Sequence, residues 1–186
     1  MQKKVRTLLL VASVTWLAVV SLSTSAMAIM IGLTNEDLTR QSSLVVIGNV
    51  VDKSSYWNAD RTTIYTGVSI AVKEVVRGNE APQTLTLQYE GGEVGDIGLR
   101  VSDTPQFENG EDVLLFLKRL PSVVGERSSE AAQPFYVVGS GQGKYSIEMN
   151  AIATRGGFSI VNDNKGKAFK NVIPLNELKE QIRSVQ

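Results

Sequence analysis

Cysteine and histidine are both absent from the 186 residues, and each absence removes a class of chemistry. Without imidazole or thiolate, no Ser-His-Asp triad, Cys-His nucleophile, haem-thiolate, iron-sulfur cluster or Cys/His zinc site can be assembled from this chain. Nor is there an excess of charge of one sign, with 19 Lys plus Arg against 19 Asp plus Glu. That balance argues against sequence-independent nucleic-acid binding, which needs a clustered basic surface to displace counterions. What remains is carboxylate, lysine, hydroxyl and backbone chemistry, and no cofactor or metal ligand set is expected.

The N-terminal residues read as a targeting segment. Lys3, Lys4 and Arg6 precede an apolar run over residues 8–22, and Ser23, Thr24 and Ser25 lead into Ala26-Met27-Ala28. A positive n-region, an h-region of about 15 residues and small residues at the outer positions of Ala-x-Ala predict a secretory signal peptide over 1–28. The mature chain then begins at Ile29, in the periplasm or outside the cell. The alternative is an uncleaved anchor in the inner membrane, since a span needs about 20 apolar residues. Cleavage removes three positive charges and leaves 158 residues with 16 basic and 19 acidic side chains, a net of −3. With no lipobox cysteine, no stable membrane anchor is expected after cleavage. An exported chain without disulfides depends on its core. Residues 29–186 suffice for one domain that buries roughly 68–70% of the surface its unfolded chain exposes.

Hydrophobic periodicity then assigns the elements. Thr34 can cap a short helix while Asp37 reaches back to it. Residues 44–51 are rich in β-branched side chains and predict a strand buried on both faces. Residues 52–60, with Tyr56 and Trp57, read as a polar connection. Over 62–76 the side chains of Ile64, Thr66, Val68, Ile70 and Val72 recur with period two, which predicts a long strand, with Gly67 the least costly place for a bulge. Leu85, Leu87 and Tyr89 alternate in a third strand. Residues 90–109 are glycine-rich and irregular, and loops of that length are often functional. The run Val113-Leu114-Leu115-Phe116-Leu117 is a second doubly buried strand, and residues 121–133 read as a polar loop. Residues 135–138 and 144–149 flank a glycine-rich turn and predict a hairpin; another is expected over 158–169. Finally, Pro174 opens a helix with Leu175, Leu178, Ile182 and Val185 on one face. About seven short strands with helices only near the ends predict a mainly β fold, a single antiparallel OB-like barrel or barrel-like sandwich.

The segments Ser42-Ser43-Leu44-Val45-Val46-Ile47-Gly48-Asn49-Val50, residues 64–78 ending in Arg77-Gly78, and Gly110-Glu111-Asp112-Val113-Leu114-Leu115-Phe116-Leu117 resemble strands of the netrin-like domain, the OB-type barrel of the tissue inhibitors of metalloproteinases. The resemblance covers roughly residues 34–140 and implies the barrel fold. In that family a disulfide-bonded cysteine at the mature N-terminus chelates the protease zinc. Ile29 stands at that position here, so the resemblance implies a fold rather than that inhibitory mechanism. The chain is also similar to small exported bacterial proteins of uncharacterised function.

Motifs for catalysis are weak. Gly139-x-Gly141-x-Gly143-Lys144 departs from a phosphate loop, which requires Ser or Thr after the lysine and a following helix, whereas Tyr145 and a strand pattern follow here. Ser140 and Lys144 do not by themselves make a serine-lysine dyad. Glu90, Glu93, Asp96 and Asp103 could converge as a glycosidase acid pair or gather around calcium, but their spacing matches no calcium loop. The expectation is therefore a non-enzymatic module that binds another exported protein, such as a protease, through its long loops. Tyr56, Trp57, Arg61, Glu93, Asp96, Arg100 and Asp103 are the candidate contact residues. The alternative is a carboxylate-dependent hydrolase or calcium-assisted carbohydrate binder using the 90–103 loop.

Overall fold

Thr34 starts the first helix in the manner its sequence predicts. Its hydroxyl accepts from the Asp37 amide at 3.1 Å, and its own amide donates to Asp37 Oδ2 at 3.0 Å. This reciprocal cap, worth about 1 kcal/mol, opens α1 (Asn35–Gln41), which buries Leu38. The structure, a computed structural model, describes residues 30–79, 81–119, 133–156, 160–161 and 171–185. The signal segment expected over 1–28, most of the polar loop expected over 121–133, and most of the hairpin expected over 158–169 lie outside the described residues.

The strands are β1 (Met30–Ile31), β2 (Leu44–Trp57), β3 (Ile64–Arg77), β4 (Thr84–Glu90), β5 (Gly92–Val94), β6 (Ile97–Leu99) and β7 (Asp112–Arg119). They continue with β8 (Phe135–Val137), β9 (Lys144–Ile147), β10 (Ile152–Arg155), β11 (Ile160–Val161) and β12 (Val172–Pro174), and α2 (Leu175–Ser184) follows. Eight of them form one sheet in the order β12-β10-β9-β7-β2-β3-β4-β8, and β8 pairs with β7 as well. All pairings in it are antiparallel except β4 with β8, so the expected wholly antiparallel sheet is mixed. It is not a closed barrel. β8 meets β4 at one register position, Leu87 opposite Phe135, and β7 accompanies β2 only as far as Asn49.

Alternation along β2 and β7 feeds two separate cores, as period-two side chains on doubly covered strands must. On one face Val46, Val50, Leu115 and Leu117 pack with Val68, Ile70, Leu87 and Phe107. On the other, Val45, Ile47, Leu114 and Phe116 pack with Leu38, Tyr145, Leu178 and Ile182 from the helices and β9. Each fully buried aliphatic side chain contributes about 1.5–3 kcal/mol, and the two layers explain why both runs read as continuous apolar segments. α2 is tied down further: Lys179 and Arg183 reach Glu74 at 2.7 and 3.0 Å, and Arg77 Nη1 donates to the Val185 carbonyl.

Three expectations need correction. β2 does not end at Val51 but runs on to Trp57, because β3 supplies a continuous ladder opposite residues 52–57 whatever their polarity. The register steps lie at Val45/Val46, Ile47/Gly48 and Val50/Asp52, and Gly67 is regularly paired between Ser54 and Gln88. Gly67 instead accommodates the ring of Tyr56, whose Cε1 lies 3.5 Å from where a Cβ would stand. Nor do β8 and β9 form a hairpin. Gly139 and Ser140 take positive φ (68° and 56°) at the start of a 3-10 turn over Ser140–Gly143, and both strands pair along β7, Val137 opposite Leu117 and Lys144 opposite Leu115. β10 was not expected at all.

Candidate functional site

The segment after β4 departs from the sheet at two glycines. Gly91 still donates to the Ile64 carbonyl at 2.8 Å, and Gly92 then crosses directly over Ser55 and Thr66. A Cβ there would overlap both hydroxyls, and its φ of +129° also requires glycine. Beneath it, Ser55 Oγ and Thr66 Oγ1 are 2.9 Å apart. Thr66 donates to the Gly91 carbonyl at 2.6 Å, so the Ser55 hydroxyl is the donor in the first contact. The hairpin β5–β6 follows, and residues 100–107 return toward β7. Phe107 is buried, stacked at 6.1 Å on Tyr89, and its carbonyl accepts from Lys53 Nζ at 2.9 Å.

Between the far part of β2 and this returning segment lies a cleft of about 700 Å3, within the usual range for ligand sites. Lys53 and Ser55 form one wall, Thr104 and Gln106 another, and Glu93 and Arg100 reach it from the hairpin and its exit. Tyr89 lines the same cleft; burial raises its phenol pKa above the ordinary value, an effect partly offset by the neighbouring Thr66 hydroxyl.

A smaller cavity of about 280 Å3 adjoins, sharing Thr104 and Gln106 and lined also by Asp103, Lys144 and Ser146. Glu111 Oε1 accepts there from Lys144 Nζ at 2.6 Å and from Ser146 Oγ at 2.5 Å. Lys144 also lies 5.1 Å from the centre of the Phe107 ring. These contacts make a satisfied, largely buried ion pair that anchors the returning loop to β9.

The candidate residues are thus only partly gathered. Glu93 and Arg100 share the main cleft, whereas Asp103 lines the smaller cavity, where its φ is 62° and its carbonyl accepts from the Gly141 amide at 2.8 Å. Asp96 sits exposed in the turn between β5 and β6. Tyr56 and Trp57 are not in a polar connection but occupy the end of β2, opposite Tyr65 and Ile64. The Tyr56 phenol has its pKa raised by burial and then by Tyr65, and Arg61 lies in the adjoining turn with φ 53°. Among the described residues, no three acidic side chains are grouped to hold a metal ion.

Sequence reasoning missed Lys53, Ser55, Thr104, Gln106 and the Glu111–Lys144–Ser146 cluster. Only Thr66 carried a usable signal, a polar side chain at an inward position of an otherwise aliphatic face. Among the described residues, no helix is long and apolar enough to cross a membrane. No protein-family profile matches the chain, and neither a curated protein nor a solved structure matches it.

Proposed function

We propose that this chain is an exported binding module rather than a catalyst, and that it engages another exported protein, such as a protease, at the cleft between β2 and residues 100–106. The observation that carries this reading is the make-up of the cleft: a polar concavity of about 700 Å3 whose walls are the sheet and a single loop. Its acidic lining residue is Glu93, with Asp96 and Asp103 held elsewhere. A glycosidase needs two carboxyl groups about 5–9.5 Å apart across one bond, and the single acidic residue lining this cleft supports the binding reading over the hydrolase one. Export rests on the tripartite N-terminus.

An OB-like barrel belongs to the same proposal. Its support is the succession β7-β2-β3-β4, with β8 touching both β7 and, in parallel, β4. Under that reading the cleft is the mouth of the incomplete barrel.

A photo-crosslinking residue at Gln106 tests the reading, with one at the fully exposed Met149 as control. Incubated with the exported fraction, the chain is expected to give an adduct with one protein from position 106 and none from 149. Turnover of a polysaccharide that is lost in Glu93→Gln would overturn it.

A further inference from the structure

The register of β2 fixes the direction of its backbone groups. Asn58 donates to Thr63 at 2.9 Å, so in an antiparallel ladder the pairs Tyr56–Tyr65 and Ser54–Gly67 exchange hydrogen bonds. The intervening pairs, Trp57–Ile64, Ser55–Thr66 and Lys53–Val68, do not. The amides and carbonyls of Lys53, Ser55 and Trp57 therefore point away from β3. Nearer the start of β2 that same edge is occupied: β7 pairs with it from Leu44 to Asn49, and Val50 still bonds Glu111 and Gly110 at 2.9 and 2.8 Å. Beyond Val50 the incoming chain diverges, and its separation from β2 is the cleft itself, with Lys53 and Ser55 on one side and Thr104 and Gln106 on the other.

We propose that the open edge of β2 from Lys53 to Trp57 receives an extended acidic peptide segment of the partner protein, which pairs with it as an added strand. This rests on the binding-module reading and specifies the mode. A strand edge continuing from an established pairing is a template for a further strand. The neighbouring Asp52, Lys53, Ser54 and Ser55 are polar, as edges protected from indiscriminate self-pairing are. The cleft is lined by two cations, Lys53 and Arg100, and one anion, Glu93. Arg100 is exposed and has no ion pair among the described residues, so its guanidinium is available to an incoming carboxylate. In an added strand alternate side chains face the cleft, which places every second residue of the segment against its polar walls.

The probe is the capped peptide Thr-Val-Glu-Val-Thr, with the Gln version as its partner control, titrated into the isotopically labelled chain. The Glu peptide is expected to bind with submillimolar affinity and to slow hydrogen exchange at the Lys53 and Ser55 amides about tenfold or more. Arg100→Gln should weaken the Glu peptide about fivefold and leave the Gln peptide unchanged. Ser55→Pro removes an amide that β3 does not use and should abolish binding of both. If that variant does not fold, the exchange data on the unaltered chain decide alone. No binding of the Glu peptide at millimolar concentration, or binding without protection of Lys53 and Ser55, overturns the proposal. So does protection of those amides by self-association of the chain without peptide. Should the adduct at position 106 form while Lys53 and Ser55 remain unprotected in it, strand addition fails and the binding-module reading stands.

Discussion

The two halves of β2 belong to one continuous strand and behave as opposites. From Leu44 to Val50 the strand has neighbours on both edges and an apolar core on each face. From Val51 to Trp57 it keeps β3 on one edge, turns polar, and borders a cleft on the other. The difference shows that stability and exposure of backbone donors can be divided along a single ladder: the first half is paired on both edges, and the second, among the described residues, is paired with β3 alone. It also locates the site, because the divergence of the chain from β2 beyond Val50 is what opens the cleft.

Substitutions can break this contrast. The largest effect is expected for Phe116→Ala, beside the first half of β2, which should lower the unfolding free energy by about 3–5 kcal/mol. Ser54→Ala, in the second half, should stay within about 0.5 kcal/mol. Chemical denaturation of the two variants gives the comparison directly, and equal losses would abolish it. Gly92→Ala comes next, at about 2 kcal/mol for a side chain forced to positive φ. Its loss should appear with altered chemical shifts at Ser55 and Thr66 rather than in the two cores.

Titration sharpens the contrast at smaller magnitude. Burial holds the Tyr145 phenol above its ordinary pKa, with the Arg155 guanidinium acting in the opposite sense, and the phenol donates to Asn35 Oδ1 at 2.6 Å. The neutral form is favoured in the folded chain, so this contribution is complete below pH ~10 and is lost as pH rises through the folded pKa. Tyr145→Phe should flatten the alkaline limb of a stability profile, and should cost about 1 kcal/mol at neutral pH for the missing hydrogen bond. Asp112 marks the point where β7 leaves β2. Hydrogen bonds from Lys73 and Asn49 hold its carboxyl below the ordinary range. Its contribution is present above pH ~4 and disappears as pH falls through the folded pKa. The group is exposed, so Asp112→Asn should produce the smallest change, visible only in the acid limb.

The same contrast explains what the sequence could reveal. Val45-Val46-Ile47 and residues 113–117 were legible because burial on both faces imposes unbroken apolarity, and the even positions of β3 were legible because one face is buried. Asp52 to Trp57 carries no such imprint. Its strand character comes from β3, a tertiary cause that leaves polar side chains free to vary. The glycine-rich turn before Lys144 misled for a related reason. Glycines between β-branched segments suit a hairpin, but Gly139 and the tightly packed Gly143, where a Cβ would meet the Val138 carbonyl, turn the chain along β7 instead. Of the candidate site, Glu93 and Arg100 were found by their glycine-rich setting. Lys53, Ser55 and Gln106 were not, because the cleft is made by the separation of two segments and no local pattern encodes a gap.

Amide hydrogen exchange along the second half of β2 tests the central claim most directly. Slow exchange at Ser54 and Tyr56 alternating with fast exchange at Lys53, Ser55 and Trp57 is the predicted result, the signature of a strand paired on one edge and open on the other. Uniformly fast exchange would mean that the arm is not a strand, and uniformly slow exchange would mean that its outer edge is covered; either contradicts the account.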